Sequence, residues 1–244
     1  MLLFPLLGLK AKPVEALVLV TDAEGTRMMG ERSLQNMEAS PASTFKVVLA
    51  WAAIESGKFR ADSSREVKEA HVPGSPRRIT LTQAMFYSSN SYFHQLAPEL
   101  GWEWITDHAE RSGLFSPSLG ASWLGKDFRF VEKGGTLRTT PQRNHDFMKR
   151  VAAGSLSADA AGEEELRKSL RWPSPRKGLE LFGKTGTVTG AVWFNGFGKS
   201  SQGTTVVTVF LPGKLEDRRR AIGLFYEVFG LEWNEAWAVE AEKF

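Results

Sequence analysis

Two side chains three positions apart carry the first chemical signal in this chain. In Ser43-Thr44-Phe45-Lys46 a helix would set the amine one turn from the hydroxyl on the same face, so that the two share a proton and the serine becomes a nucleophile. A chain of this composition yields about one Ser-x-x-Lys match by chance, and Ser174-Pro175-Arg176-Lys177 is a second. Position separates them. The second lies among prolines in a polar break. The first opens an apolar run, where the free N–H groups and dipole of a helix start favour a developing negative charge. An apolar setting also favours the neutral amine that a base requires.

Two further clusters lie downstream. Ser88-Ser89-Asn90 is a helix-breaking polar tripeptide between apolar segments, and on its own it reads as a helix cap or junction. Lys184-Thr185-Gly186 falls in a β-rich run, where a small residue lets a substrate lie along the strand and the lysine adds positive charge. This triplet is expected in about one chain in ten of this length, so the three clusters in this order carry more weight than any one of them. Gly178-Leu179-Glu180-Leu181-Phe182-Gly183-Lys184-Thr185 also matches a phosphate-binding loop. That loop requires a turn followed by a helix N-terminus, whereas here the β pattern continues through Val188. Arg218-Arg219-Arg220, as a bare run, reads as a solvated helix face.

The elements that position these residues follow from periodicity. Glu15 to Gly30 reads as a β-hairpin turning at Asp22-Ala23-Glu24-Gly25. Ser43 to Glu55 has apolar residues at helical spacing and a stop at Gly57. Residues 80 to 113 read as two or three helices broken at Gly101 and Gly113, Thr139-Thr140-Pro141 opens another, and Glu163 to Leu170 forms one more. After the break Trp172-Pro173-Ser174-Pro175 come strands at Leu179 to Val188, Ala191 to Gly198 and Thr204 to Leu211, then a helix from Asp217 to Phe229. Strands at both ends and helices between predict an α+β fold: a central antiparallel sheet with strands from both termini, packed against helices, plus a helical subdomain.

The 244 residues, 42% of them hydrophobic, suffice for one sizeable core, with residues 15–244 as the catalytic domain and 1–14 as an apolar N-terminal segment. That segment is short of the ~20 residues of a membrane span. Without a basic start or a good cleavage site, it reads either as a signal remnant or as a segment packing on the domain. There is no cysteine, which excludes thiol chemistry. The four histidines stand too far apart to predict a metal site, and the net charge of +3 is scattered, so nucleic acid is not an expected partner.

Ser-x-x-Lys, Ser-x-Asn and Lys-Thr-Gly in series resemble the motifs of penicillin-binding proteins and serine β-lactamases. Pro41 to Lys46, Ser122-Trp123-Leu124-Gly125 and Trp193-Phe194-x-Gly196 are similar to segments of class D, oxacillinase-type, β-lactamases, and together the features span residues 15 to 231. The resemblance implies that Ser43 attacks a β-lactam carbonyl, Lys46 takes its proton and Ser88 relays a proton to the leaving nitrogen. The backbone N–H groups of Ser43 and Thr187 would form the oxyanion hole. Lys184, Thr185, Gly186 and Arg218 would hold the substrate and its carboxylate, with Asn90 and Trp123 lining the site. In class D enzymes the lysine is an N6-carboxylysine formed with carbon dioxide, which activates the deacylating water and is bonded by the tryptophan. No other cofactor and no metal is implied.

Two departures stand out. Asn90 occupies a position that is apolar in class D enzymes, whereas penicillin-binding proteins and β-lactam sensor domains carry asparagine there. Ser112-Gly113-Leu114-Phe115 replaces a Tyr-Gly-Asn signature, and no class A deacylating glutamate motif is evident. The expected function is a class D-like serine β-lactamase, an antibiotic-resistance activity in the periplasm or outside the cell. The alternatives are a D,D-carboxypeptidase or transpeptidase acting on cell-wall peptides, or a sensor that stays acylated. The oligomeric state is left open. Ser43→Ala is expected to abolish labelling by a fluorescent penicillin on a denaturing gel, and Ser174→Ala to preserve it. A label retained in Ser43→Ala removes Ser43 as the nucleophile.

Overall fold

In a computed structural model that describes residues 15–115, 137–157 and 159–244, the predicted hairpin is β1 (Leu17–Asp22) and β2 (Gly25–Gly30), with β1 buried and β2 largely exposed. It adds to the edge of the C-terminal strands, because β1 pairs antiparallel with the last strand in the register Leu17↔Phe210. The remaining strands of this sheet are β5 (Arg171–Trp172), β6 (Glu180–Val188), β7 (Ala191–Ser200) and β8 (Gly203–Leu211), giving the order β2-β1-β8-β7-β6-β5. Every neighbouring pair is antiparallel.

Period-two alternation sends β8 side chains to two faces. Val207, Val209 and Leu211 meet the terminal helix, here α7 (Arg218–Val228), through Ala221, Phe225 and Tyr226. Phe194 of β7 stacks on Phe225 with ring centroids 4.0 Å apart. Val206 faces the helical core on the other side, together with Phe182 and Phe197.

That helical side contains α1 (Lys46–Glu55), α2 (Leu81–Tyr87), α3 (Asn90–Leu100), α4 (Trp102–Arg111), α5 (Pro141–Ala153) and α6 (Ala160–Ser169). Residues Lys46 to Ile54 of α1 are all buried, so the helix that follows the nucleophile is clamped on every side. The helix starts follow capping chemistry. Thr80 and Gln83 form a capping box at α2, Ser89 caps α3, and Thr140 with Pro141 opens α5 as predicted.

Four features differ from the sequence expectations. The Ser43 segment is a 3₁₀ turn, Ala42–Phe45, and the α-helix begins only at Lys46. The turn is tightened because both Thr44 N–H and Thr44 Oγ1 donate to the Pro41 carbonyl, at 3.0 and 2.6 Å. The break after Leu170 is partly strand, since Arg171 and Trp172 pair with β6 and Trp172 Nε1 donates to the Gly183 carbonyl at 3.0 Å. A polar ribbon, β3 (Ser64–Val67) with β4 (Arg77–Thr80), and a closing 3₁₀ segment, Glu235–Lys243, carry no apolar alternation and are invisible to periodicity. Gly183-Lys184-Thr185 sits in the middle of β6 with no helix after it, which excludes the phosphate-loop geometry. Trp123 and its neighbours lie outside the described residues. Among the described residues no helix is long and apolar enough to cross a membrane.

His145 of α5 is fully buried between β1 and β8, with Nε2 2.7 Å from Thr21 Oγ1 and Nδ1 3.3 Å from Thr208 Oγ1. Burial pushes its pKa down from 6.5 to about 4. The unfolded chain therefore binds a proton below pH 6.5 that the native chain refuses until about pH 4, so stability falls as pH falls through that window. The expected loss is about 3 kcal/mol. Denaturant unfolding measured from pH 7 to 4 is expected to show a flatter dependence in His145→Gln, and equal slopes refute the assignment.

Candidate active site

Lys46 is the first residue of α1 and is 2% exposed. Its backbone N–H donates to the Ser43 carbonyl, which closes the 3₁₀ turn and places the two motif residues on consecutive steps of one coil. Ser43 itself is half-buried. The Lys46 amine donates to the Ser88 carbonyl at 2.8 Å and to Asn90 Oδ1, and lies 5.6 Å from the centroid of the Phe93 ring. A buried cation or amine needs acceptors, and these two oxygens supply them.

Ser88 ends α2 in the left-handed conformation, φ 60 and ψ 38, while Ser89 caps the next helix. This reversal turns the Ser88 carbonyl toward Lys46 and its hydroxyl toward the sheet. There Lys184 Nζ donates to Ser88 Oγ at 2.8 Å and to the Thr185 carbonyl at 2.8 Å. Lys184 is completely buried. Burial first, and then the charges of Lys46 and Arg218, hold its pKa well below the ordinary lysine range.

Thr185 Oγ1 accepts from Arg218 Nη2 at 3.1 Å. Arg218, at the start of α7, is turned toward the sheet, while Arg219 and Arg220 are exposed, so the basic run divides into one inward and two outward members. Burial lowers the Arg218 pKa. Lys46, Lys184 and Arg218 thus bring three basic side chains to one cleft, which favours an anionic group on a ligand.

Gly186 explains how β6 reaches the nucleophile turn. A Cβ at this position would stand 2.9 Å from the Pro41 carbonyl oxygen, 2.9 Å from Thr44 Cγ2 and 3.1 Å from Thr44 N, so only a glycine lets strand and turn meet. One residue on, the Thr187 Oγ1 atom is shielded from solvent and has no hydrogen-bond partner among the described residues.

The structure therefore brings Ser43, Lys46, Ser88, Asn90, Lys184, Thr185, Gly186 and Arg218 to one place, with Thr187 next along β6. The second Ser-x-x-Lys match stays apart, with Lys177 exposed in the segment before β6. Sequence reasoning missed the Phe93 ring beside the amine and Glu69, which accepts the Asn90 backbone N–H at 2.8 Å and the Ser89 hydroxyl. Phe93 is one turn from Asn90 on α3, a spacing that marks it once the helix is known. Glu69 lies in a polar loop and carries no such signal. The acceptors around the amine, as oriented, favour the unmodified lysine over a carbamate. Ser88 O and Asn90 Oδ1 are acceptors directed at the amine, and they would meet the oxygens of a carbamate with like partial charge.

Known proteins share this fold. The family described as penicillin binding protein transpeptidase domain matches residues 11–222. A class D β-lactamase from Bacillus subtilis is 21% identical, with a TM-score of 0.76 over 91% of this chain and 94% of its own. One from Fusobacterium nucleatum subsp. polymorphum is 16% identical, with a TM-score of 0.76 over 89% and 92%. One from Nostoc is 19% identical, with a TM-score of 0.75 over 89% and 95%. At these identities the likeness shows the α+β fold, and the antiparallel sheet with its helical side agrees with it.

Gly186→Ala tests the contact between strand and turn. The added methyl is expected to push β6 off Pro41 and Thr44, to cost about 1–3 kcal/mol of stability and to slow acylation by a penicillin. Wild-type unfolding and labelling rates would show that the approach is not required.

Proposed function

Because this chain belongs to the penicillin-binding protein transpeptidase domain family, we propose that it is a serine β-lactamase-like hydrolase working through a Ser43 acyl-enzyme. The observation that supports the reading best is Ser88 held between two buried lysines, its carbonyl on Lys46 and its hydroxyl on Lys184, beside the turn that bears Ser43. This arrangement offers a base, a relay and a cationic wall within one cleft.

In the proposed reaction Ser43 Oγ attacks the lactam carbonyl carbon and its proton passes to the unmodified Lys46 amine. The oxyanion of the tetrahedral intermediate is held by the backbone N–H groups of Ser43 and Thr187. The lactam C–N bond then breaks, and the nitrogen takes a proton from Ser88 Oγ, which Lys184 Nζ at 2.8 Å can replace. The substrate carboxylate pairs with Lys184, Thr185 and Arg218 on the sheet side of the cleft. Water then attacks the acyl carbon, its proton passing through Ser88 Oγ to Lys184, and Ser43 Oγ leaves with the proton held on Lys46, which restores both amines. Its natural setting is the space outside the cytoplasm, where β-lactams and cell-wall peptides are met.

The hydrogen bond from Lys46 to Asn90 favours a second reading. An amine tied to two protein acceptors serves acylation but is poorly free to activate a later water. This suits a penicillin-binding D,D-carboxypeptidase, a transpeptidase or a sensor that the drug traps.

Intact mass spectrometry after mixing with a penicillin separates the two, because both acylate and only the hydrolase recovers. The expected course is an adduct of the whole drug followed by return to the unmodified mass, at a rate that added bicarbonate does not change. An adduct lasting hours overturns the hydrolase reading in favour of the second, and recovery that requires bicarbonate overturns the unmodified lysine.

A further inference from the structure

Behind Asn90 stands a carboxylate that no motif includes. Glu69 lies in the loop joining β3 to β4, where its backbone N–H donates to Ser75 Oγ at 2.8 Å and its carbonyl accepts from the Val72 N–H at 3.0 Å. Its half-buried side chain reaches the start of α3. There Oε1 accepts the Asn90 backbone N–H at 2.8 Å and Oε2 accepts the hydroxyl of Ser89, which is fully buried. The Ser89 oxygen in turn accepts the Tyr92 N–H at 3.1 Å.

An anion at a helix start satisfies free N–H groups and complements the dipole, so part of this arrangement is capping. Two observations go beyond it. The residue whose N–H Glu69 holds is the same residue whose Oδ1 takes the Lys46 amine. The residue before Ser89 is Ser88, which accepts from both lysines. The carboxylate thus anchors two members of the tripeptide on which the amine rests, and places a negative charge one side chain away from a cluster of three cationic residues.

We propose that Glu69 is a positioning residue for the Lys46 base, setting through Asn90 where the amine points and supplying a countercharge to the cleft. The proposal rests on the reading of Ser43 as an acylated nucleophile with Lys46 as its base. Glu69 touches no substrate and acts only through Asn90 and Ser89.

Among the described residues, the charged groups that face the Lys46 amine include Lys184 from β6 and, behind Asn90, Glu69 from the β3–β4 loop, with Arg218 of α7 on the far side of Lys184 and with Lys68 and His71 exposed on the Glu69 loop. In full-length protein labelled with ¹³C-lysine, the Lys46 Cε signal is identified by its loss in Lys46→Arg and titrated with pH. Glu69→Gln, which keeps an acceptor and removes the charge, is expected to move the midpoint to lower pH by roughly half a unit or more, because an anion near the ammonium is lost. An unmoved midpoint overturns the proposal.

The rate of labelling by a fluorescent penicillin, per mole of folded protein, is expected to fall on the order of tenfold in Glu69→Gln. In an Asn90→Ala background the same change is expected to cost less than about twofold, since the route through Asn90 is already cut. Equal losses in both backgrounds overturn the route. A lower thermal midpoint with wild-type titration and labelling rate reduces Glu69 to a cap and also overturns the proposal. Should Glu69→Gln fail to fold, Glu69→Asp keeps the charge with a shorter reach. It is then expected to retain the wild-type titration midpoint and lose labelling rate, and a wild-type rate counts against positioning. A wild type that no penicillin labels defeats the proposed function, while the lysine titration still decides the case of Glu69.

Discussion

Burying two lysines side by side is the constraint around which this molecule is organised. Lys46 and Lys184 are 2% and 0% exposed, and each Nζ demands acceptors that water no longer supplies. One residue answers both demands. Ser88 presents its carbonyl to Lys46 and its hydroxyl to Lys184, and does so only because the chain turns through a left-handed conformation between two helices. That conformation is unfavourable for a residue with a Cβ, so it persists because the bond from its own N–H back to Met85, the Ser89 cap that follows it and the two amines all fix the same geometry. The site therefore joins three parts of the fold through one serine: the buried helix α1, the α2–α3 junction and the strand β6.

The rest of the architecture holds those parts in register. β6 is second from the sheet edge, paired along its length with β7 but with the two-residue β5 only at Leu181 and Phe182. Its Lys184–Gly186 edge is therefore left to meet the Pro41–Thr44 turn, and α7 packed over Phe194 and Val209 brings Arg218 to Thr185. On the opposite side α1 is enclosed by the helical core, so the Lys46 amine has little freedom to leave the cleft. Gly186 and the tight Pro41–Thr44 turn then set how closely strand and nucleophile approach. The convergence of three basic side chains makes a positive charge on any one of them costlier, as the Lys184 pKa, lowered first by burial and then by Lys46 and Arg218, shows. An anionic ligand group would offset part of that cost on binding, which is how such a cleft selects a carboxylate.

Much of the fold was legible because its signals are local. Apolar, β-rich runs bounded by turn residues marked β1, β6, β7 and β8, helical spacing marked α1, and Thr140-Pro141 marked the start of α5, since each reports how a segment meets the core or satisfies its own backbone. The 3₁₀ turn at Ser43 was not legible, because its tightening depends on Thr44 bonding back to Pro41 and on a glycine from a distant strand. The ribbon Ser64–Val67 with Arg77–Thr80 and the closing segment Glu235–Lys243 also escaped, being polar or irregular and held by partners far along the chain. Arg77 and Tyr87, for example, both bond Glu242.

The sequence alone determined the chemical types and their order: a serine and lysine at helical spacing, a polar helix junction and a cationic strand with a small residue after it. These are properties of adjacent residues, and adjacency is what a sequence records. Tertiary structure alone decided that the junction serine serves both lysines, that one arginine of three turns inward, and that Asn90 and Glu69 stand behind the base. Those relations join residues 20 to 96 positions apart. They arise when burial of the apolar faces brings the segments together, and no local pattern encodes them.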